Sequence, residues 1–365
     1  MNRPILHQFT DGAAVGDAIT DQALAIRTWL HELGFESEIF AAHIHPALEQ
    51  IVRPVTSYRR RAAETHVVYH HSIGSDIVER LCSQDVRLLL IYHNVTPPEF
   101  FHTVDPALAN QLRAGIAQLE SLRPRTDLAL ADSPYNEGDL SRASFATTGV
   151  LPIVLDEQRY AFPPAAELVA RYGGGGPLLL FVGRITPNKR QEDLVKLLYY
   201  YRRIRPDARL VLVGARWLPM YADWLQHLAR SLGLADHVIL TDHVTQQEMV
   251  TFYQLASLYI SMSEHEGFGK PLIESMYLGL PVLAYAAASV PGTMGGAGVL
   301  FHRKDFEALA ELVDILIHDT TVRQRIIDGQ HARARSFLAA QVKLQWTRYL
   351  ATVLPAAAEG VKATT

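Results

Sequence analysis

The chain has 365 residues, more than a single domain usually contains, so two domains are expected. Its composition is 48% hydrophobic and 20% charged with a formal net charge of −4, which is ordinary for a globular protein and excludes a strongly basic nucleic-acid reader. Cys82 is the only cysteine, which excludes an internal disulfide and a cysteine-rich zinc site. The first residues form no apolar leader and no run of ~18 apolar residues occurs, so we expect a cytoplasmic protein.

Short apolar runs rich in β-branched residues alternate with stretches of helical period along the first part of the chain. This alternation predicts a parallel sheet with helices on both faces. The clearest helix is predicted over Ala18–Leu33, which has a regular apolar face and Gly34 as its stop. The predicted strands are Ile5–Phe9, Ser37–Phe40, His66–Tyr69, Leu88–Tyr92, Leu128–Ala131 and Gly149–Leu151.

The alternation stops after Leu155 and resumes beyond a run of four glycines, Gly173–Gly176. This run has too little side chain to pack, so it indicates a domain boundary. The expected divisions are a doubly wound domain over 1–160, a linker over 161–176, a second doubly wound domain over 177–340, and a terminal helical segment over 341–365 that is long enough to pack on either domain. The later predicted strands are Leu178–Val182, Arg209–Val213, Val238–Thr241, Leu258–Met262, Pro281–Ala284 and Gly298–Leu300.

The segment Glu266–Glu274 places glycines and two glutamates where a predicted strand ends and a helix begins. Ligands bind at the carboxyl ends of strands in an open α/β sheet, where the backbone N–H groups of residues 267–269 and the helix dipole form a site for a diphosphate. The carboxylate oxygens of Glu266 and Glu274 match pairs of sugar or ribose hydroxyls. The simpler alternative is that the glycines form a turn and the carboxylates are solvated charges near a helix start.

A second segment, Leu178–Arg190, also ends a predicted strand in a glycine, Gly183. It carries Arg184 and Lys189 on either side of a proline-containing turn. Two cations at the carboxyl end of a strand can neutralise a diphosphate, Arg184 through planar contacts and Lys189 as a point charge. Taken alone, the segment also fits a solvated basic turn.

The two segments together resemble the retaining family-4 glycosyltransferases of GT-B fold. The pattern is Val-Gly-Arg-Ile-Thr-Pro-Asn-Lys over 182–189, followed about eighty residues later by Glu-Gly-Phe-Gly-x-Pro-x-x-Glu over 266–274. The resemblance continues through 279–305 and is looser in the first part of the chain. It implies an α/β protein with two doubly wound, Rossmann-like domains that face each other across a cleft, the first on the acceptor side and the second on the donor side.

By this resemblance the second domain binds the nucleotide-sugar donor. Arg184 and Lys189 would bind the diphosphate. Glu274 would bind the ribose and Glu266 the hydroxyls of the transferred sugar, while Val244 would lie beside the base in the loop after a predicted strand. The other donor-binding residues that it implies are Gly183, Gly267, Phe268, Gly269 and Lys270.

The first domain in this family supplies a glycine-containing loop before its first helix and a histidine at the end of its fourth strand. Gly16 is the candidate phosphate contact, and Asp17 beside it is a weak candidate for the acceptor. His93 is the candidate sugar contact and is grouped with the two cations and Glu266 as a catalytic residue. His71 is a second weak acceptor candidate, with a satisfied loop histidine as the alternative.

No metal or other cofactor is expected. The chain has 16 histidines, but the spacing His-Glu-x-x-His does not occur, and there is no convincing Asp-x-Asp for a sugar-nucleotide metal. The two cations near the first glycine would stabilise the departing diphosphate in place of an ion.

The resemblance implies transfer of a hexose, with retention of configuration, from a UDP- or GDP-sugar, or an ADP-sugar, to a saccharide or lipid-linked saccharide in polysaccharide or glycoconjugate biosynthesis. No nucleic-acid partner is expected. A lipid-linked acceptor leaves contact with the inner face of the membrane open, and the basic cluster Arg59–Arg61 is either such a contact or, more simply, a solvated surface. Two other functions stay open: a glycoside hydrolase with Glu266 and Glu274 as acid and base, and a nucleotide-sugar-binding subunit without catalysis.

Overall fold

The computed structural model describes residues 3–354 and contains two parallel sheets, each flanked by helices. The chain divides into two compact units. Unit 1 runs to Val154 and resumes at Phe337, and unit 2 is Leu155–Ser336. The predicted α/β class with two doubly wound sheets is confirmed.

The sheet of unit 1 has seven strands in the order β3-β2-β1-β4-β5-β6-β7, and all its neighbours pair in parallel. Its strands are β1 (His7–Ala13), β2 (Ile39–Ile44), β3 (Arg53–Pro54), β4 (His66–His71), β5 (Arg87–Tyr92), β6 (Thr126–Ala131) and β7 (Thr148–Val150). The first four helices are α1 (Ala18–Glu32), α2 (Ile77–Cys82), α3 (Pro106–Leu122) and α4 (Pro134–Arg142). The strand order reverses between β1 and β4, which is where an open α/β sheet opens a crevice at its carboxyl edge.

The sheet of unit 2 has six strands in the order β10-β9-β8-β11-β12-β13, again all parallel. Its strands are β8 (Leu178–Val182), β9 (Arg209–Val213), β10 (Val238–Leu240), β11 (Leu258–Ser261), β12 (Val282–Tyr285) and β13 (Val299–Phe301). Its helices are α5 (Ala166–Tyr172), α6 (Gln191–Tyr201), α7 (Pro219–Ser231), α8 (Gln246–Leu255), α9 (Lys270–Tyr277), α10 (Val290–Met294), α11 (Phe306–His318) and α12 (Thr320–Ala334). The order reverses between β8 and β11, the two strands that precede the conspicuous sequence segments.

The last described helix, α13 (Ala339–Val353), belongs to unit 1. Trp346 on this helix is fully buried in the same core as Trp29 and Leu30 of α1. The Tyr349 ring lies so close to Gly149 that a Cβ at that glycine would meet the hydroxyl at 2.5 Å. Burial of an aromatic face therefore holds the end of the described chain on the first sheet. Of the expected terminal segment, residues 355–365 lie outside the described residues.

Every strand predicted from the sequence is present, with ends that differ by a few residues. The structure adds β3, whose two residues are too few to give a pattern. The expected linker over 161–176 is wrong in part, because it contains α5, which packs within unit 2 through the contact of Tyr172 with Phe252. The linker was predicted from the glycine run, although the residues before that run have the apolar spacing of a helix. The chain leaves unit 1 after Val154, somewhat before the expected boundary at 160.

Candidate active site

The two conspicuous segments of unit 2 form adjacent loops at the carboxyl ends of the neighbouring parallel strands β8 and β11. Backbone and side-chain hydrogen bonds join them. The Glu264 N–H donates to the Asn188 carbonyl at 2.9 Å, and the Asn188 amide Nδ2 donates to the His265 carbonyl at 3.2 Å. Asn188 is buried, so these bonds replace water for its polar atoms and fix the two loops to each other.

Lys189 and Glu266 meet where these loops join. Lys189 Nζ lies 2.5 Å from Glu266 Oε2 and 3.4 Å from the His265 carbonyl oxygen. Both side chains keep some exposure, 17% and 15%, so the pair is reachable from solvent. The structure thus brings together two of the predicted site residues, and because the pair is only partly buried its charges remain available to a polar ligand.

Arg184 lies earlier on the loop after β8 and is exposed. Its guanidinium carbon is 4.6 Å from the centre of the Trp217 ring, a cation–π contact that orients the side chain. Gln191 Nε2 donates to the Arg184 carbonyl at 2.9 Å and fixes the backbone there. Trp217 follows β9, and no motif in the sequence pointed to it.

The backbones after β8 and β9 approach each other closely. A Cβ on Gly214 would lie 2.1 Å from the Gly183 carbonyl oxygen, so only glycine fits at Gly214. Gly183 N–H donates to the Val213 carbonyl at 2.8 Å, and Ile185 N–H to the Ala215 carbonyl at 3.0 Å. The predicted Gly183 therefore lies where two backbones approach closely. The position that requires a glycine is Gly214, which was not predicted from the sequence.

The glycine-containing loop of residues 267–269 is oriented by α10. Ser289 Oγ donates to the Glu266 carbonyl at 2.8 Å, and Thr293 Oγ1 donates to the Phe268 carbonyl at 2.6 Å. In a trans peptide the N–H points opposite to the C=O, so the N–H groups of Gly267 and Gly269 point away from α10. This orientation fits the predicted anion-binding role of the loop.

Phe268, Gly269 and Lys270 lead from this loop into α9. Phe268 is buried, and Gly269 has a left-handed φ of 83° at the N-cap of the helix. A Cβ there would also lie 2.7 Å from a methyl group of Leu272. Lys270 Nζ is 3.9 Å from Glu274 Oε1, one helical turn further on. The three predicted donor-binding residues therefore occupy the start of α9, where the helix dipole favours an anion.

Glu274 is buried on α9, and two tyrosine hydroxyls donate to it. Tyr160 Oη lies 2.7 Å from Oε1, and Tyr253 Oη lies 2.6 Å from Oε2. Burial raises the pKa of Tyr253 well above its ordinary value, so this hydroxyl stays a donor at every pH of interest. The glutamate was predicted from the sequence, whereas neither tyrosine was.

Val244 lies beyond β10, the edge strand of this sheet, and packs against the core of unit 2. It precedes Thr245, which caps α8 in a reciprocal pair of bonds with Glu248. Asp242 in the same loop has a left-handed φ of 59°, and its Oδ1 forms an ion pair with Arg216, 2.8 Å from Nε. The loop is thus well defined, and its strand is separated from β8 by β9 in the sheet.

In unit 1, Gly16 and Asp17 lie where β1 leads into α1. Gly16 is exposed and has a left-handed φ of 78°, a conformation that glycine adopts without strain. Asp17 is the N-cap of α1, since its Oδ2 accepts from the Thr20 N–H at 3.0 Å and from the Thr20 hydroxyl at 3.1 Å. The weak acceptor assignment for Asp17 therefore competes with a clear structural role.

His93 and His71 follow β5 and end β4, respectively. His71 is fully buried: its Nε2 lies 2.8 Å from the Gly115 carbonyl and its Nδ1 lies 3.3 Å from Tyr69 Oη. Because burial lowers the pKa of His71 to about 4, the ring is neutral, and both nitrogens are used inside the unit. Neither ring nitrogen of His71 is therefore left to bind an acceptor substrate. His93 is also buried, with Nε2 3.0 Å from His70 Nδ1 and Nδ1 3.5 Å from Asp132 Oδ2.

The basic cluster Arg59–Arg61 lies in an irregular segment and bonds mainly to unit 1 itself. Arg61 pairs with Glu36, Arg60 lies 3.7 Å from Asp85, and Arg59 Nη1 donates to the Thr56 carbonyl at 2.8 Å. No helix within residues 3–354 has the length and apolarity needed to cross a membrane. In the same range, no group of three or more His, Cys, Asp or Glu side chains is placed to hold a metal ion.

Comparison with known proteins places this geometry in a family. Residues 171–333 match the family described as glycosyl transferases group 1. The match covers less than half of the chain and lies within unit 2. It contains all the loops of unit 2 described above, and the resemblance inferred from the two sequence segments is confirmed at this level.

Curated relatives also cover part of the chain. A GDP-mannose-dependent alpha-(1-6)-phosphatidylinositol monomannoside mannosyltransferase of Mycolicibacterium smegmatis is 30% identical over 181 residues, 46% of this chain and 47% of its own length. A GDP-mannose:cellobiosyl-diphosphopolyprenol alpha-mannosyltransferase of Xanthomonas campestris is 29% identical over 224 residues, 60% of this chain and 56% of its own length. The matched region thus spans about half the length of these relatives.

Solved structures match over nearly the whole chain. Anabaena HepE in complex with UDP-glucose has a TM-score of 0.76 at 19% identity, covering 95% of this chain and 100% of HepE. A sucrose-phosphate synthase of Thermosynechococcus elongatus has a TM-score of 0.74 at 18% identity, covering 97% of this chain and 100% of the synthase. At these identities the likeness establishes the fold, which is GT-B.

Proposed function

We propose that the chain transfers a hexose from a nucleotide-sugar to a saccharide or lipid-linked saccharide acceptor, with retention of configuration and without a metal ion. The observation that carries the proposal is the joining of the loops after β8 and β11 within the region that matches the group 1 family, with Lys189 and Glu266 in contact and Arg184 on the same loop. The expected compartment is the cytoplasm, with peripheral membrane contact if the acceptor is lipid-linked.

Leaving-group stabilisation is assigned to Arg184, Lys189 and the backbone amides of residues 267–269. As the bond from the sugar carbon to the diphosphate breaks, negative charge grows on the phosphate oxygens, and cations held near that position lower the barrier. The acceptor hydroxyl oxygen forms its bond on the same face of the sugar. Its proton passes to a donor phosphate oxygen, so the step needs no side chain as nucleophile.

Glu266 and Glu274 are assigned to hydroxyl recognition rather than to proton transfer. Glu266 is ion-paired with Lys189, and a carboxylate in an ion pair accepts hydrogen bonds only. Glu274 accepts from two tyrosine hydroxyls and keeps lone pairs for further donors such as ribose hydroxyls. These contacts favour transfer over hydrolysis by a glutamate pair, which requires one carboxyl group to carry a proton.

GDP-mannose is the first donor to test, because both curated relatives described above carry it in their names. UDP-glucose is the second, since HepE binds it in a structure of the same fold. The side chains around Val244 do not specify which base the nucleotide-sugar donor carries.

The test is a thermal-shift screen of GDP-, UDP- and ADP-sugars on the full chain, followed by transfer assays in a chelating buffer. A donor at 100 times its dissociation constant should stabilise the protein by ~2.7 kcal/mol, a readily measured shift. Nuclear magnetic resonance of the product should then show the anomeric configuration of the donor. Release of free sugar from a glycoside without nucleotide would support a hydrolase instead, and tight donor binding without transfer to any acceptor would support a binding subunit.

A further inference from the structure

Four buried polar side chains form a continuous row that reaches the carboxyl edge of the first sheet. They are Gln8 of β1, His70 of β4, His93 after β5 and Asp132 after β6. His70 Nε2 lies 3.0 Å from Gln8 Oε1, and His70 Nδ1 lies 3.0 Å from His93 Nε2. His93 Nδ1 makes no hydrogen bond of ordinary geometry within the described residues and faces Asp132 Oδ2 at 3.5 Å.

The hydrogen positions in this row of side chains follow from the orientation of Gln8. Gln8 Nε2 donates to the Ala23 carbonyl at 3.0 Å, which turns the Gln8 amide oxygen towards His70. An amide oxygen only accepts, so His70 Nε2 carries a hydrogen. Burial lowers the pKa of His70 well below its ordinary value, so the ring is neutral and its Nδ1 is an acceptor. His93 Nε2 must therefore carry the hydrogen between the two rings.

The orientation of Asp132 follows from the opposite end. Asn94 Nδ2 donates to Asn136 Oδ1 at 2.7 Å, which turns the Asn136 amide nitrogen towards Asp132 Oδ1. Asp132 Oδ2 is left facing His93. If His93 were neutral with its hydrogen on Nε2, its Nδ1 would carry no hydrogen and would face Asp132 Oδ2, which carries none either. Two buried hydrogen-bond acceptors would then face each other without a proton between them, which is costly.

We propose that one proton is held between His93 Nδ1 and Asp132 Oδ2 at neutral pH, and that Gln8, His70 and Asp132 are positioning residues that fix the His93 ring through it. The proton turns two opposed acceptors into a donor–acceptor pair. Both nitrogens of His93 then face protein groups. Any contact of His93 with a sugar rests on the proposed function, whereas the location of the proton does not.

Other titratable groups surround this pair and their states agree with the assignment. Burial raises the pKa of the Asp132 carboxyl, the direction expected for a group that shares a proton. From β4, His71 is a neutral ring bonded to the Gly115 carbonyl. From β5, burial raises the pKa of Tyr92 above its ordinary value. From α4, Asp139 pairs with Arg142, which places that negative charge next to its own cation.

The direct test is nuclear magnetic resonance of the full chain labelled with ¹⁵N at histidine rings, from about pH 6 to pH 9. We expect His70 and His93 to carry hydrogen on Nε2 and the signals of His93 to stay constant across this range. Buried His71 provides an internal reference and should remain neutral. Titration of His93 within this range, or hydrogen on His70 Nδ1, would overturn the proposal.

Asp132→Asn supplies the matched variant, because its amide can donate to His93 Nδ1 without an added proton. The unfolded chain loses the proton above about pH 6.5 while the folded wild type keeps it, so the unfolding constant of unit 1 should rise about tenfold per pH unit from pH 7 to 9. Hydrogen exchange of β5 and β6 amides, corrected for intrinsic rates, measures this slope. This pH dependence should be absent in Asp132→Asn and present in the control variant Asp139→Asn. Equal slopes in wild type and Asp132→Asn would contradict the proposal.

The ring spectra keep the test decisive if Asp132→Asn fails to fold, since they are recorded on the wild type. They also require no substrate and no turnover. A failure of the proposed glycosyltransferase activity would therefore leave the expected spectra unchanged, and a wrong proton assignment would leave the donor screen unchanged.

Discussion

The carboxyl edges of the two sheets use polar residues in opposite ways. In unit 2 the edge carries charged side chains with some exposure, such as Lys189 and Glu266, and an exposed Arg184. In unit 1 the corresponding edge carries buried rings and amides, with His70 and His71 both fully buried. The same architecture therefore offers exposed charges in one unit and an internally bonded network in the other.

This difference indicates how the two units divide the work of binding. A diphosphate is best met by cations that are preorganised but still partly solvated, since fully buried charges are costly to maintain. An internally bonded network cannot supply that charge, but it can hold a side chain in one orientation. We therefore expect donor affinity to depend on unit 2, and the following experiments test that division in order of expected effect.

The largest effect is expected for Arg184→Ala. Removing a cation that stabilises the leaving diphosphate should reduce kcat by about 100- to 1000-fold. The fold should survive, because the side chain is exposed and packs on the Trp217 ring. Transfer rates with the best donor of the screen, together with circular dichroism, measure both expectations.

Arg203→Ala is the matched control for that variant. Arg203 is exposed in the same unit and also stacks on aromatic rings, at 5.1 Å from Tyr199 and 5.0 Å from Tyr200. It follows the end of α6, and because that helix runs back across a parallel sheet, it lies at the opposite edge from the candidate site. Near-normal turnover in Arg184→Ala, or equal losses in both variants, would remove Arg184 from the site.

The second effect is expected for Glu274→Gln, which keeps the shape of the side chain but removes its charge. Hydrogen bonds to a charged group are worth about 1.5–3 kcal/mol, so donor affinity should fall about tenfold or more. Isothermal calorimetry with the nucleoside diphosphate measures the loss. Exposed Glu307→Gln in the same unit is the control.

A nucleotide that lacks the ribose hydroxyls tests whether Glu274 acts through the ribose. If Glu274 binds the ribose, wild type and Glu274→Gln should bind a 2′,3′-dideoxynucleoside diphosphate with similar affinity, because the contact is already missing. A tenfold difference with that ligand would show that the substitution acts through the fold and would remove the ribose contact.

The fold and the charged half of the site were predictable from the sequence for local reasons. Strands of both sheets appear as short apolar runs, and Arg184, Lys189 and Glu266 lie directly after such runs, where ligands bind. Tyr160 and Tyr253 were missed because they lie 114 and 21 residues from Glu274, and no local pattern links them to it.

The burial of His71 was also beyond local reasoning. A histidine at the end of a strand has the same local sequence whether it faces solvent or the core. Only the packing of α3, which supplies the Gly115 carbonyl, decides that His71 is internal. The glycine at Gly214 is similar, since its requirement comes from the backbone of another loop.

A smaller effect is expected for Tyr253→Phe, which removes one of the two hydroxyls that hold Glu274. The carboxylate keeps its bond from Tyr160, so donor affinity should fall only several-fold, with about 1 kcal/mol lost in stability. If the tyrosine acts through the glutamate, adding Tyr253→Phe to Glu274→Gln should cost much less affinity than it does alone. Additive losses in the double variant would show an independent role, and Tyr199→Phe provides a control substitution.

The smallest effect, close to none, is expected when a chelator is added to the transfer assay. Arg184 and Lys189 already supply two positive charges for the diphosphate, so a divalent ion has little further charge to neutralise. We expect the rate in excess EDTA to stay within about twofold of the untreated rate, and the same comparison in Arg184→Ala shows whether an added ion can replace the lost cation. A large loss in the wild type that Mg²⁺ or Mn²⁺ restores would mean that the charges of unit 2 bind the donor only together with a metal.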